Sequence, residues 1–247
     1  MRGMQLLALD TATPATTVAL ALVDEKVLTR RHEPAPGERP GHVSELLPLA
    51  LALLAEAGLS FAQLDRIAVG VGPGTFTGLR IGVATARALA QAHQLPLVGV
   101  STLRSLAAGA AGTADAAQPT VAVLDARRGE AFAAAWAGGE AALAGGERSA
   151  ALLEPAALTP QALAEAVAAL PGTPLAVGDG AIRFRHELEA AGAVVPADDS
   201  AAHRVDAAVH AQLAAAMEPD APDAVLPAYL RLPDAELALR RRRATAS

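Results

Sequence analysis

The run Gly72-Pro73-Gly74-Thr75-Phe76-Thr77-Gly78-Leu79-Arg80-Ile81-Gly82 constrains this 247-residue chain more than any other stretch. Residues 66–71 before it read as a strand, and residues 79–93 after it as a helix that is apolar on nearly every side. A strand, glycine turn and helix in succession belong to alternating α/β structure. A helix of that composition must be covered on two faces. Exposed backbone N–H groups and the dipole at the helix start make phosphate binding one reading of the loop. Tight turn geometry and close helix contact, which glycine also permits, make the other. No Gly-Lys-Ser/Thr closes the loop, and its spacing does not fit the dinucleotide fingerprint.

The surrounding segments continue the alternation. Residues 5–10 read as a buried strand ending in an acid, and 16–23 as a second strand after the turn at Pro14, together an opening hairpin. Pro34, Pro36, Gly37, Pro40 and Gly41 make 33–41 a loop. His42–Ala57 carries Leu46, Leu47, Leu49, Leu53 and Leu54 at helical spacing and stops at Gly58, with Pro48 either kinking the helix or lying near its start. Ser60 with Gln63 forms a capping box for a short helix, and 97–100 is a further strand. Over 107–118 the composition shifts to Ala, Gly and small polar residues, which predicts domains at 1–105 and 106–247. In the second, 121–124, the turn 125–129 and 130–136 repeat the opening strand, turn and strand, pointing to two related halves. Thr159-Pro160 opens another helix, 175–177 is a strand, and 201–217 is expected to be one long helix packing back on the first domain.

Composition excludes several function classes. Hydrophobic residues make up 52% of the chain but aromatics only 2%, so the core is built from Ala, Leu and Val. With no Cys there is no disulfide, thiolate metal site or cysteine nucleophile, and a reducing cytosol is the expected setting. Residues 1–9 are too short and too soon interrupted for a signal peptide, and Pro, Gly or charge breaks every candidate membrane span. A formal net charge of -6 argues against a protein that holds nucleic acid by itself. The basic run 240–243 is the local exception, read either as a solvated tail or as a source of phosphate contacts.

Few residues carry chemistry. Asp10, at the end of the first strand, either orients a metal-bound water beside a nucleotide or caps the hairpin through an Asx turn. The six histidines include no pair at three or four residues' separation, and His203 and His210 are expected on the surface or a helix end. There is no Gly-x-Ser-x-Gly elbow. Asp125, Arg127 and Arg128 share a predicted turn, where the guanidinium groups grip phosphate or carboxylate, or else stand in solvent. Trp136 is expected to pack in the second core.

Four landmarks stand in order: Leu9-Asp10-Thr11-Ala12-Thr13, His42-Val43-Ser44-Glu45-Leu46-Leu47-Pro48, the glycine run 72–82, and Asp125-Ala126-Arg127-Arg128-Gly129-Glu130-Ala131-Phe132. Val177-Gly178-Asp179-Gly180-Ala181 and Pro227-Ala228-Tyr229-Leu230-Arg231 follow. This order resembles the TsaB (YeaZ) family over most of the chain. The resemblance implies the actin-like ATPase (RNase H-like) fold, with two duplicated α/β domains. It also implies a noncatalytic scaffold or activator acting with TsaD, the catalytic paralogue, and TsaE, an ATPase. Together they add threonylcarbamoyl to the adenosine beside the anticodon in tRNAs reading codons that begin with A, with TsaC supplying the activated intermediate.

The same resemblance implies a cytoplasmic protein that is a homodimer when alone and meets tRNA through the complex. TsaD's His-x-x-x-His metal element has no counterpart here, so no catalytic and no metal-ligating residue is assigned. Asp10, Thr11, Gly72, Gly74, Thr75 and Gly78 are the candidates for an inherited, vestigial nucleotide cradle, with ATP or ADP bound only inside the complex. Partner contacts are expected from His42, Leu46, Leu47, Leu53 and Leu54 on the first helix and from Gly82, Ala86, Leu89 and Ala90 on the second. On that expectation Gly82→Leu weakens partner binding and spares the isolated fold. Competing readings are a free-standing ATP-dependent small-molecule kinase, a homodimeric interaction module without a tRNA connection, and a peptidase. The missing His-Glu-x-x-His element and nucleophile elbow count against the last.

Overall fold

A computed structural model describes residues 4–111, 118–144 and 151–231. The first sheet contains β1 (Leu6–Asp10), β2 (Thr16–Ala21) and β3 (Val27–His32), followed by α1 (His42–Ala57), β4 (Arg66–Gly72), α2 (Phe76–His93) and β5 (Leu97–Ser101). Its strand order is β3-β2-β1-β4-β5, with the pairs β1–β2 and β2–β3 antiparallel and β1–β4 and β4–β5 parallel. After α3 (Thr102–Gly109) come β6 (Thr120–Asp125), β7 (Ala131–Trp136), α4 (Gly139–Leu143), β8 (Leu153–Leu158), α5 (Pro160–Ala168) and β9 (Leu175–Val177). The second sheet has the order β8-β7-β6-β9, with β6–β7 and β7–β8 antiparallel and β6–β9 parallel. Each half is therefore a hairpin, a third antiparallel strand and a returning parallel strand, the duplicated actin-like arrangement. After β9 come α6 (Asp179–Arg183), α7 (Arg185–Ala190) and α8 (Ala207–Ala215), and residues 216–231 follow without a further helix or named strand.

Alternation along β1 sets the layers, because successive side chains of a strand face opposite ways. Leu7 and Leu9 join Val18, Leu20, Ile67 and Val69 beneath Leu46, Leu53 and Leu54 of α1 and Val83, Ala86 and Ala90 of α2. Leu6 and Ala8 face the other way, into a core shared with α3, α8 and residues Ala122, Leu124, Phe132, Ala134 and Trp136 of the second sheet. On the far side of that sheet Val121, Val123 and Ala133 meet Leu163 and Val167 of α5 and Leu188 of α7. Ala107, Ala108, Ala207, Ala211 and Ala214 line the helices between the sheets, and small side chains let both sheets close on them.

Several elements differ from the sequence reading. The expected strand 16–23 ends at Ala21, and β3 was hidden in Arg-rich, largely exposed sequence, as edge strands often are. β8 contains Pro155, which demotes a run to edge-strand status or hides it. The Ala-rich stretch 107–118 opens inside α3 (Thr102–Gly109), whose Leu103, Ser105, Leu106, Ala107 and Ala108 are buried. Pro48 sits within α1 without ending it. The helix expected over 201–217 is broken: a single 3-10 turn, Ala201–His203, is followed by α8, capped by Asp206 on the Ala208 N–H.

The face of α2 bearing Gly82, Ala86 and Ala90 points inward, which corrects the expectation that this stripe meets a partner. A Cβ on Gly82 would lie 2.3 Å from Thr11 Oγ1, and one on Gly78 would lie 2.0 Å from the Thr11 carbonyl oxygen and 2.6 Å from Thr75 Oγ1. A backbone carbonyl cannot move aside as a side-chain end can. Gly78→Ala is therefore expected to destabilise the isolated protein by at least about 1–3 kcal/mol in urea unfolding, and Gly82→Leu to do so more strongly. The exposed neighbour Thr77→Ala serves as the unaffected control; equal urea midpoints for Gly78→Ala and the parent would refute the packing assignment.

His42 opens α1 and is also turned inward. Its Nδ1 is 2.8 Å from Thr16 Oγ1, and its Nε2 is buried without a hydrogen-bond partner. Burial pushes its pKa below the usual histidine value of 6.5, the Asp10 carboxylate opposes that, and His32 reinforces it. Above 6.5 both folded and unfolded forms are neutral. As pH falls below about 6.5, the unfolded chain takes up a proton that the folded ring resists, so stability is lost. Thermal unfolding from pH 7 to pH 5 should accordingly show a steeper fall in Tm for the parent than for His42→Gln; parallel curves would exclude this origin.

Candidate functional site

The two hairpin turns are built alike. Asp10 ends β1, and its Oδ1 accepts the Ala12 N–H at 2.9 Å; Asp125 ends β6, and its Oδ1 accepts the Arg127 N–H at 2.8 Å. Each is the Asx turn that an acid in this position favours. The loop after each returning parallel strand then packs its glycines onto the neighbouring strand end. Gly74 and Gly78 close on the carbonyls of Ala12 and Thr11, and Gly178, at φ +114, closes on the Val123 carbonyl. A Cβ at Gly178 would stand 2.1 Å from that oxygen.

The other carboxylate oxygens have opposite fates. Asp10 is fully buried, and its Oδ2 lies 3.1 Å from His210 Nε2 of α8, with the Thr102 hydroxyl donating at 3.4 Å. The imidazole contact is a close electrostatic one, since the ring N–H is not aligned for a hydrogen bond. His210 Nδ1 is in turn 2.8 Å from Ser105 Oγ of α3. Even the neighbouring Gly70 is required by this cluster, because a Cβ there would fall 1.8 Å from Asp10 Oδ2. Asp125 instead stays at the surface of a cleft, its Oδ2 accepting from Arg183 at 2.9 Å and Arg127 at 3.3 Å. Its backbone N–H donates to Asp179 Oδ1 at 3.1 Å. Burial raises the Asp179 carboxyl above the usual carboxylate range, partly offset by that N–H donation.

The cleft itself has a volume of about 390 Å³. The glycine loop at Gly74, Thr75 and Phe76 forms one side, the 125–128 turn another, and the segment 228–231 a third. Of the predicted nucleotide candidates it gathers Gly74 and Thr75. Asp10, Thr11, Gly72 and Gly78 are buried behind it, a correction to their reading as a cradle. The physical reason is that the loop closes onto the turn after β1, covering these residues: the Thr75 N–H donates to Ala12 O at 2.8 Å, and Thr11 Oγ1 donates to Gly78 O at 2.7 Å. The glycines serve contact between turn and helix. Arg127 and Arg128, singled out on the predicted turn, do line the cleft.

The partner candidates also divide. His42, Leu46, Leu53 and Leu54 of α1 and Gly82, Ala86 and Ala90 of α2 are core residues, which is a correction; Leu89 is half-buried and Leu47 exposed. His203 and His210, expected on the surface or at a helix end, are both buried; His203 ends the 3-10 turn, where its Nδ1 accepts the Gly178 N–H at 3.1 Å and its Nε2 donates to Pro196 O at 3.2 Å, and His210 lies within α8. Trp136 is buried in the core between the sheets. Sequence reading missed the pairing of Asp10 with His210 and Thr102 because those residues are far apart in the chain. It also missed Tyr229, which packs on Phe76 with ring centroids 5.2 Å apart, and Arg231, which pairs with Glu130 at 2.8 Å. The basic run 240–243 lies outside the described residues. Among the described residues no group of three or more His, Asp or Glu could hold a metal ion, and no helix is long and apolar enough to cross a membrane.

Comparison with known proteins places this geometry. A family profile described as "TsaD: tRNA N6-adenosine threonylcarbamoyltransferase" matches residues 38–168, more than half of the chain. The tRNA threonylcarbamoyladenosine biosynthesis protein TsaB of Escherichia coli K12 is 38% identical over 152 residues, which is 62% of this chain and 63% of that relative. The chain thus spans somewhat less than two thirds of that curated relative. Two solved structures from Pseudomonas aeruginosa superpose with a TM-score of 0.73, covering 92% of this chain and 100% of each. One is described as similar to the peptidase YeaZ and is 30% identical; the other is YeaZ and is 29% identical. With full coverage of the YeaZ fold and the order of turns found here, the chain belongs to the TsaB (YeaZ) family.

Proposed function

We propose that the protein is a noncatalytic subunit of the assembly that attaches threonylcarbamoyl to an adenosine of tRNA, acting with a TsaD-type catalytic subunit and a TsaE-type ATPase. The observation that carries this reading is the fate of Asp10. In a strand-end position suited to holding a metal-bound water beside a nucleotide, its carboxylate is turned away from the cleft. It is closed in by His210 and Thr102. A free-standing kinase built on this fold would need that acid at the reacting phosphates, so the buried arrangement favours a scaffold.

The surface for a partner is the outer face of α1. Val43, Leu47 and Leu51 recur at intervals of four, with exposures of 81%, 41% and 48%, a solvent-facing apolar stripe opposite the core face of the same helix. On α2 the small residues Ala84 and Ala88 are exposed, and α1 packs directly against α2. A catalytic subunit related to this chain over residues 38–168 would present corresponding helices. Two related faces of this kind can pair about a pseudo-two-fold axis, as identical ones do in a symmetric dimer. We assign the stripe to the TsaD-type subunit, with a second copy of the chain as its substitute when the partner is absent.

Leu47→Glu combined with Leu51→Glu should abolish copurification with the TsaD-type subunit while leaving the Tm of the isolated protein nearly unchanged. Retained copurification would place the interface elsewhere. Depletion of the protein in cells should lower threonylcarbamoyladenosine in bulk tRNA, measured by nucleoside mass spectrometry, and an unchanged level would overturn the functional assignment.

A further inference from the structure

In a chain with one Tyr, one Trp and four Phe, the placing of two aromatic rings side by side in solvent is a costly use of scarce apolar surface. Phe76 and Tyr229 are each 41% exposed, stand 5.2 Å apart between centroids at a 34° tilt, and both line the cleft. The guanidinium of Arg80 lies 4.8 Å from the Phe76 ring centroid, so a cation extends the stack. Tyr229 is held there by the main chain, since the preceding Ala228 N–H donates to Val71 O at 2.7 Å, and Arg231 anchors the far end on Glu130. The same cleft is lined by Arg127, Arg128 and Arg231 and by the carboxylate of Asp125, with Glu130 paired to Arg231. Among these five side chains guanidinium groups outnumber carboxylates three to two, in a protein of net charge -6.

Fixed aromatic rings beside guanidinium groups are the means by which proteins hold unpaired nucleotides: the rings stack on base faces, and Arg meets the phosphates. We infer that the Phe76–Tyr229 pair is a stacking platform for an unpaired RNA base, with Arg127 and Arg128 at the adjoining phosphate. This makes the cleft an RNA contact rather than a nucleotide-hydrolysing site. It rests on the tRNA reading above and specifies which surface of this subunit touches the substrate.

The test uses the full-length protein assembled with its TsaD-type and TsaE-type partners and an unmodified tRNA anticodon stem-loop carrying 4-thiouridine in the loop. Irradiation should crosslink the probe to the peptide containing Tyr229 or to that containing Phe76. Tyr229→Ser should weaken stem-loop affinity by about five-fold or more, the loss expected for one base–aromatic stack, and Tyr229→Trp should restore it. A merely structural role for Tyr229 would instead lower the Tm of the Ser variant without a selective loss of RNA. The inference is overturned if the Ser variant with an unchanged Tm binds the stem-loop as tightly as the parent. It is equally overturned if a fully paired duplex of the same length binds the parent as tightly as the stem-loop, or if ADP binds the isolated protein at the platform and displaces the probe. A failure here accompanied by loss of threonylcarbamoyladenosine on depletion removes the platform alone. Unchanged threonylcarbamoyladenosine on depletion removes the functional assignment beneath it.

Discussion

The approach of the first turns of α2 to the hairpin turn after β1 is the contact on which the first half depends. Backbone meets backbone at Gly74 and Gly78, and Gly82 meets the Thr11 side chain, so that a methyl group at any of the three would overlap atoms of Thr11 or Ala12. Two hydrogen bonds lock the contact, Thr75 N–H to Ala12 O and Thr11 Oγ1 to Gly78 O. Because α2 is fixed at its start, its Val83, Ala86 and Ala90 fall on the outer face of the sheet beside α1. The orientation of the whole outer layer follows from a few close backbone contacts. The second half repeats the device with Gly178 against the Val123 carbonyl, and its strand order β8-β7-β6-β9 matches β3-β2-β1-β4 of the first.

What distinguishes the halves is the treatment of their strand-end acids. Asp10 is enclosed by α3 and α8, the two helices lying between the sheets, and it ties them through Thr102, His210 and Ser105. Buried carboxylates survive in a protein interior only when a charge or donors meet them. Here those partners come from elements more than ninety residues away in sequence. Asp125, with no such enclosure, keeps two guanidinium groups at the cleft. One acid thereby became a fastening of the interior and the other a surface group, although their local turns are the same.

The cleft follows from that asymmetry. The space left between the halves is bounded by the glycine loop, the 125–128 turn and the segment 228–231. Its character is set by Phe76, Tyr229 and three arginines. Such a surface suits flat, charged ligands held by stacking and long-range attraction. On the opposite side of the first sheet, α1 divides its leucines between a core face and a solvent face, and the exposed stripe is separate from the cleft. The molecule accordingly offers two chemically different surfaces, one apolar and helical, the other aromatic and cationic.

Much was legible in the sequence: α1 from His42 to Ala57 by its leucine spacing, the glycine loop between β4 and α2, the paired hairpins and the family order of motifs. These rest on local periodicity and turn chemistry, which a chain carries in consecutive residues. Edge strands β3 and β8 were not legible, because charge and proline there mask a pairing made by a neighbouring strand. Nor was the helical identity of the Ala-rich segment at α3, which becomes meaningful only when two sheets close on it. Tertiary structure alone decided which face of α1 and α2 is outward, that Asp10 belongs to His210, and that Tyr229 meets Phe76. Sequence spacing can place residues on a common helix face, but the direction of that face is fixed by what packs against it. Contacts across 150 to 200 residues are chosen by the closing of the whole fold, and no local signal records them.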